Sequence, residues 1–454
     1  MPRQEIADIA PGRLSAAQLA DNFSDVSPPL DRQAALIAAQ RCLYCFDAPC
    51  IKACPTAIDI PSFIRRITTD NLRGAALDIL GANIFGGICS RVCPTEILCE
   101  GSCVRNRPED APVQIGALQR YATDWVFEDN VSLFRRARDS GKRVAVVGAG
   151  PAGLACAHVL ARCGHHAVVF DAREKAGGLN EYGIAAYKVL EFAAREIDWL
   201  LSIGGIEVRG RQALGRDFSL ADLRRDYDAV FLAMGLAGIN ALGIEGESLG
   251  GVRNAVDFIA ELRQSRDLTR LPIGRRVVVI GGGNTAIDAS VQSRKLGAEH
   301  VTLAYRRGAA QMSATFAERE FAQTQGVNIV EWVQPKRIIG KDGAAGAVEF
   351  EYTQLDAQGR LAGTGERLTV PADLVLKAVG QALSIPGDNL EIRKGRIVVD
   401  VDYATSLPGV WAGGDCIGTA TDLTVQAVED GKRAARSIDR ALVAQSVARG
   451  QDNG

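Results

Sequence analysis

The sequence predicts a helical, cysteine-rich head followed by two α/β units, the second inserted into the first. Three observations carry this expectation. Eight of the eleven cysteines fall between Cys42 and Cys103. An apolar strand, a glycine turn and a helical stretch recur twice, around Gly148 and again around Gly281. A further glycine turn, Gly413-Gly414-Asp415, arrives late and precedes the last helical stretch. At 454 residues the chain has room for about three domains, each able to close its own core.

Composition narrows the class. With 47% hydrophobic residues, 23% charged and a formal charge of -2, the chain reads as soluble and globular, without the basic excess that nucleic acid demands. No apolar run approaches the roughly 18 to 20 residues of a membrane span. Met1 to Ala20 lacks the basic start and apolar core of a secretion signal, so a cytoplasmic, reducing setting is expected. Residues 1 to about 30, closed by Pro28-Pro29, read as a loose polar arm, and helical periodicity starts after Asp31.

The cysteines fall in two groups, Cys42-x2-Cys45-x4-Cys50-x3-Cys54-Pro55 and Cys89-x3-Cys93-Pro94-x5-Cys99-x3-Cys103. Dense thiols closed by Cys-Pro follow the ferredoxin pattern, in which the last cysteine of a run reaches across to a second cluster. A disulfide framework suits small secreted domains instead, and a zinc ribbon pairs two short Cys-x2-Cys knuckles. Between the groups, Pro61 to Ile67 and Leu72 to Leu80 read as short amphipathic helices, broken at Gly81. Beyond Cys103, Asp110-Ala111-Pro112 precedes a helix from Ile115 to about Val126. The charged stretch Arg135 to Arg143 reads as a solvated linker. Cys156 and Cys163 form no Cys-x-x-Cys pair, which argues against a disulfide reductase. The four histidines show no ligand spacing.

From Val144 the pattern becomes strand, then Gly148-Ala149-Gly150-Pro151-Ala152-Gly153, then helix, a turn that brings backbone amides and a helix N-terminus to a pyrophosphate. The second strand, Ala167 to Phe170, ends at Asp171, placed to accept from a ribose hydroxyl. The second copy runs Val277 to Ile280, then Gly281-Gly282-Gly283-Asn284-Thr285-Ala286. Its second strand, Val301 to Ala304, ends in Tyr305-Arg306-Arg307, where two guanidiniums suit a 2′-phosphate and leave NAD(H) or NADP(H) open. Gly414-Asp415, followed by Thr424-Val425, suits the ribityl and pyrimidine side of FAD and assigns the first fingerprint to FAD. Gly178 and Leu179 join that flavin set. Ala233-Met234-Gly235 and Ala378-Val379-Gly380 mark crossings between the FAD domain and an inserted nicotinamide domain.

With these motifs assembled, residues from about 35 to 440 resemble the dihydropyrimidine dehydrogenase family, especially its separate bacterial electron-input subunit, and the related glutamate synthase small subunit. The resemblance implies two 4Fe-4S clusters with crossed ligation: Cys42, Cys45, Cys50 and Cys103 on one, Cys54, Cys93, Cys99 and Gln119 on the other. Spacing alone prefers Cys89 to Gln119; the resemblance, with Asp47-Ala48-Pro49-Cys50 and Leu118-Gln119, selects Gln119 and leaves Cys89 spare. It also implies a basic residue near flavin N5, a place that Lys188 occupies. Asn284 and Thr285 line the nicotinamide with Gly380 opposite, and Thr424 and Val425 offer amides to the flavin O2 and N1. Hydride transfer between cofactors requires no general acid or base. The implied fold is an α-helical iron-sulfur domain (1–136) followed by two α/β Rossmann-like domains, an FAD domain (137–236 and 381–454) interrupted by an NAD(P) domain (237–380). No FMN barrel is present in the sequence, so an FMN-containing pyrimidine-reducing partner in a hetero-oligomer is expected, without nucleic acid or membrane. Glutamate synthase and a non-catalytic iron-sulfur assembly role are the alternatives.

Overall fold

The computed structural model describes residues 9–109, 111–189, 191–384, 389–418 and 421–451. The first eight residues of the expected arm and Asp110 of the expected turn lie outside them. The described residues form two units: 27–181, 191–238 and 382–451 in one, and 9–26, 182–189 and 239–381 in the other.

The first unit opens with the helical head. Its helices start where short polar side chains can accept from free amides: Asp31 takes Ala34 N at 2.8 Å, and Asn71 takes Gly74 N at 2.9 Å. In the helix Ile60–Thr68, Ile60, Phe63, Ile64 and Ile67 share one face and are fully buried. Leu72–Ala82, Gly86–Val92, which carries Cys89, and Ile115–Glu128, beyond the last cysteine of the head, complete the framework. Residues 131–142 carry neither helix nor strand. A five-stranded parallel sheet follows, in the order Val410–Ala412, Ala229–Leu232, Arg143–Val147, His166–Phe170, Ile206–Arg209. The late strand Val410–Ala412 pairs with Ala229–Leu232, so the segment after residue 381 completes a sheet begun more than 200 residues earlier. The helix Thr424–Gln451 packs on Pro151–Arg162, the helix that leaves the first glycine turn.

The second unit repeats the plan, with Arg276–Ile280 flanked by His300–Ala304 and by Leu374–Lys377, and Val327–Val330 and Val252–Asn254 at the edges. A three-stranded antiparallel sheet, Val333–Lys341, Ala344–Leu355 and Leu361–Pro371, packs Val348 and Phe350 onto Val278 and Val375. The arm expected to be loose is tied to this unit: Ile9–Ala10 pairs with Ile273–Gly274, and the helix Ala16–Asn22 buries Leu19, next to Phe23, in its core. The capping box Ser15/Gln18 is the local signal for that helix. Among the described residues no single helix is long and apolar enough to cross a membrane.

Candidate functional site

Cys42, Cys45, Cys50 and Cys103 ring one cavity, with Pro49, Ile64 and Val113 as apolar walls. Cys103 reaches the Cys42 to Cys50 segment, 53 to 61 residues upstream, because its flanks are clamped to those of Cys42. Arg105 donates to the Arg41 carbonyl and pairs with Glu109, while Arg41 donates to Pro112 O at 2.8 Å and pairs with Glu109 at 3.0 Å. Burial, reinforced by Cys42 and Cys103, pushes the Cys50 thiol up to about 11. Burial also raises Cys42, beside Cys45 and Cys103. Thiols held this close resist ionising together, and a shared cationic centre removes that resistance.

The second group gathers Cys54, Cys89, Cys93 and Cys99. Cys93 is raised far above the usual thiol range by its hydrogen bond to Cys89, by burial, and by the charges of Cys99 and Cys54. Cys99 is raised by burial, then by Glu100 and Cys54. Among the described residues no three His, Cys, Asp or Glu side chains close around a single ion. Four thiols gathered in each group suit a four-iron cluster. Gln119, 7% exposed, donates its side-chain nitrogen to Gly86 O at 2.6 Å. That bond fixes the amide's orientation and leaves its oxygen as the end able to meet a metal. Cys89 thus lies on the helix Gly86–Val92, and Gln119 is bonded to that helix's first residue. Glu196, fully buried, accepts from Gly87 N at 2.8 Å and Ile88 N at 3.2 Å, holding the start of the same helix. Sequence reasoning missed Glu196, since nothing local to it signals a partner more than 100 residues away.

At the first nucleotide turn, a Cβ on Gly148 would stand 2.3 Å from Ala233 O; at the second, one on Gly281 would stand 2.3 Å from Ala378 O. Each turn therefore leans on its own Ala-x-Gly tripeptide, and the two halves of the pattern, read separately in the sequence, meet in space. Gly150 caps the helix that Pro151, Ala152 and Gly153 begin, with proline in the first turn where its missing N–H costs nothing. Asp171 braces this turn, accepting Ala149 N at 2.7 Å and Arg173 N at 2.8 Å, and burial raises its carboxyl. Gly178 packs against Gly150, where an added Cβ would lie 2.7 Å from the Gly150 Cα, and Leu179 is exposed beside it. Gly235 has positive φ and open space around it. Gly414 N donates to Asp430 at 3.1 Å, Thr424 Oγ1 donates to Asn180 at 3.1 Å, and Val425 is buried. Asp415 is half-buried, its carboxylate accepts no hydrogen bond among the described residues, and burial, with Asp422 nearby, pushes it up to about 6. A carboxylate without a protein donor, next to the residue that packs on Ala152 of the first turn, suits a ribityl hydroxyl of FAD.

In the second unit Gly283 caps the helix Asn284–Lys295 without a side-chain bond, leaving the first amides open. Asn284 is exposed, Thr285 half-buried and Ala286 buried. Gly380 O accepts from Asn240 N at 3.2 Å. Arg306 is exposed and Arg307 half-buried, and neither guanidinium is in an ion pair among the described residues. Lys188 is not a solvated lysine: its ammonium is buried, 2.9 Å from Asp288 and 2.7 Å from Glu318. Burial pulls its pKa down, but the two carboxylates outweigh that and hold it above the usual range. Cys156 is fully buried, with its thiol raised by that burial, in keeping with a packing role.

The fold and these sites define a pyridine-nucleotide flavoprotein oxidoreductase carrying an iron-sulfur head. Residues 19–131 match the family described as dihydropyrimidine dehydrogenase domain II, 4Fe-4S cluster, and residues 142–431 match pyridine nucleotide-disulphide oxidoreductase. The chain is 37% identical over 442 residues to the glutamate synthase (NADPH) small chain of Escherichia coli, across 92% of this chain and 93% of that one. It is 33% identical over 425 residues to the NAD-dependent dihydropyrimidine dehydrogenase subunit PreT of Salmonella typhimurium, across 92% and 97%. Two solved structures share the fold: FprA of Mycobacterium tuberculosis, at TM-score 0.58 and 22% identity over 68% of this chain and 86% of that one, and thioredoxin reductase of T. acidophilum, at 0.51 and 21% over 66% and 99%. The chain belongs to the family of NAD(P)H-dependent iron-sulfur flavoprotein subunits that includes PreT and the glutamate synthase small chain.

Proposed function

We propose that this chain is the electron-input subunit of a dihydropyrimidine dehydrogenase, oxidising NADH or NADPH and passing electrons through FAD and two 4Fe-4S clusters to an FMN-bearing partner that reduces uracil or thymine. The observation that carries the reading is the presence, in one chain, of two separately braced nucleotide turns and two groups of clustered thiols. When bound, FAD takes a hydride and releases its electrons singly, and each cluster accepts one at a time. The chain's own residues bind and orient. Gly148 to Gly153 and Gly178 cradle the FAD pyrophosphate, Asp171 and Asp415 accept from its ribose and ribityl hydroxyls, and Thr424 and Val425 face the flavin edge. Gly281 to Ala286 hold the nicotinamide dinucleotide, and Arg306 and Arg307 receive a 2′-phosphate. Cys42, Cys45, Cys50 and Cys103 hold one cluster, and Cys54, Cys93, Cys99 and Gln119 the other.

The 37% identity to a glutamate synthase small chain favours a second reading, delivery of electrons for glutamate formation. Three assays separate the possibilities. Reduction of ferricyanide by NADH or NADPH is expected from the purified holoprotein, and its absence with FAD bound would leave only a non-catalytic assembly role. Co-expression with a candidate FMN-barrel subunit should give uracil- or thymine-dependent NAD(P)H oxidation. Glutamate formation with a large amidotransferase subunit, and no pyrimidine turnover, would overturn the choice.

A further inference from the structure

Thr56 and Lys432 link the turn that carries Cys54 to the helix begun by Thr424, all within the first unit. Thr56 is 3% exposed, and its hydroxyl stands 3.3 Å from Cys54 Sγ. Lys432 is 9% exposed, on the helix Thr424–Gln451. Its ammonium donates to Ala82 O at 2.8 Å, at the end of the helix Leu72–Ala82, and to Thr56 O at 3.4 Å, and pairs with Glu429 at 2.6 Å. A cation at a helix C-terminus is favourable there, yet a hydrated surface would supply one without burying a lysine. Thr424, which begins the lysine's helix, is eight residues earlier, about 12 Å along the axis. One helix thus joins the place expected for the flavin to the turn that carries Cys54.

We propose that Thr56 and Lys432 are a positioning pair that ties the Cys54 turn to this helix and biases the cluster held there toward accepting an electron. The inference rests on the proposed ligation by Cys54. A metal-bound thiolate has no proton, so Thr56 O–H must be the donor between them. Reduction adds one negative charge to the cluster; the hydroxyl donated to its sulfur favours that added charge directly, and the buried ammonium offsets the charge of Glu429 that would otherwise oppose it.

The test is a potentiometric titration of the anaerobic holoprotein, followed by EPR, for wild type, Thr56→Val, Thr56→Ser, Lys432→Met and Lys432→Arg, with iron and flavin content measured on each. Thr56→Val and Lys432→Met should each lower the reduction equilibrium constant of one cluster about tenfold, which is about 59 mV for one electron. Thr56→Ser and Lys432→Arg should stay near wild type, and the other cluster should not move. A Thr56→Val protein that holds full iron with an unshifted potential overturns the inference, as does an equal shift of both clusters. Loss of iron from Thr56→Val and Thr56→Ser alike would also overturn it, by showing packing rather than the hydroxyl to matter. A Cys54→Ala protein retaining both clusters would instead sink the underlying ligation, whatever the threonine variants do.

Discussion

Replacing Glu196 tests how the head is seated. The fully buried carboxyl accepts from Gly87 N and Ile88 N at the start of the helix Gly86–Val92, which leads to Cys93, and burial pushes it up to about 8. Arg91, whose guanidinium lies 3.6 Å from the Phe192 ring centroid and 2.6 Å from Asp124, is the nearby cation. Glu196→Ala strands two buried N–H donors at about 1–3 kcal/mol each, before counting the cavity. Glu196→Gln keeps an oxygen acceptor and matches the protonated acid in shape, so it should cost under about 1 kcal/mol near pH 5 and should be no less stable than wild type at pH 7. The acid's pH dependence follows from its raised pKa. Between the ordinary value of 4.5 and about 8 the native state keeps a proton that the unfolded chain has released. Stability should therefore fall as pH rises through that window, by on the order of 5 kcal/mol, and Glu196→Gln should flatten the fall. Thermal denaturation of the holoprotein from pH 5 to 9, followed by the visible absorbance of its cofactors, measures both effects. Equal losses in the Ala and Gln variants at pH 7, or a wild-type profile as flat as that of the Gln variant, would refute this reasoning.

Four other outcomes are expected. Gly153→Ala should abolish FAD retention, because the added Cβ would lie 1.9 Å from Gly148 O; the flavin-to-protein ratio reads this directly. Arg306→Ala should weaken NADPH about tenfold in KM and leave NADH nearly unchanged, whereas an equal effect on both would mark the arginine as ordinary surface. Gln119→Ala should lose or alter one cluster while Cys89→Ala keeps both, judged by iron content and reduced-state EPR; the reverse pair of results would move the ligand to Cys89. Lys188→Met should destabilise the second unit by about 3–5 kcal/mol, since it leaves Asp288 and Glu318 facing each other without their buried cation; differential scanning calorimetry would show it.

The sequence was most legible where the chemistry is local. Both glycine turns sit between a short apolar strand and a helix, and the strands Arg143–Val147 and Arg276–Ile280 fall where the valine runs put them. The cysteine-rich head was legible as helical for the same reason, through faces such as Ile60, Phe63, Ile64 and Ile67. Three features were not legible. Leu19 and Phe23 are two apolar residues in a polar stretch, and only the core they enter makes the arm ordered. The sheet Val333–Pro371 alternates weakly, since Leu361–Pro371 is largely exposed. Glu196 and Lys432 act on backbone groups at separations of 109 and 350 residues, which no local pattern encodes. Lys188 was legible as a cation but not as the centre of an ion triad, because its partners come from two later helices.

The most direct test is to reduce the anaerobically purified holoprotein with NADH or NADPH and record its EPR spectrum beside its iron, sulfide and zinc content. Two four-iron clusters per FAD, with at least one becoming paramagnetic as the flavin is bleached, is the expected result. Zinc in place of iron and sulfide, or a flavin that bleaches while the clusters stay silent, would contradict the claim that the thiol-rich head receives the flavin's electrons.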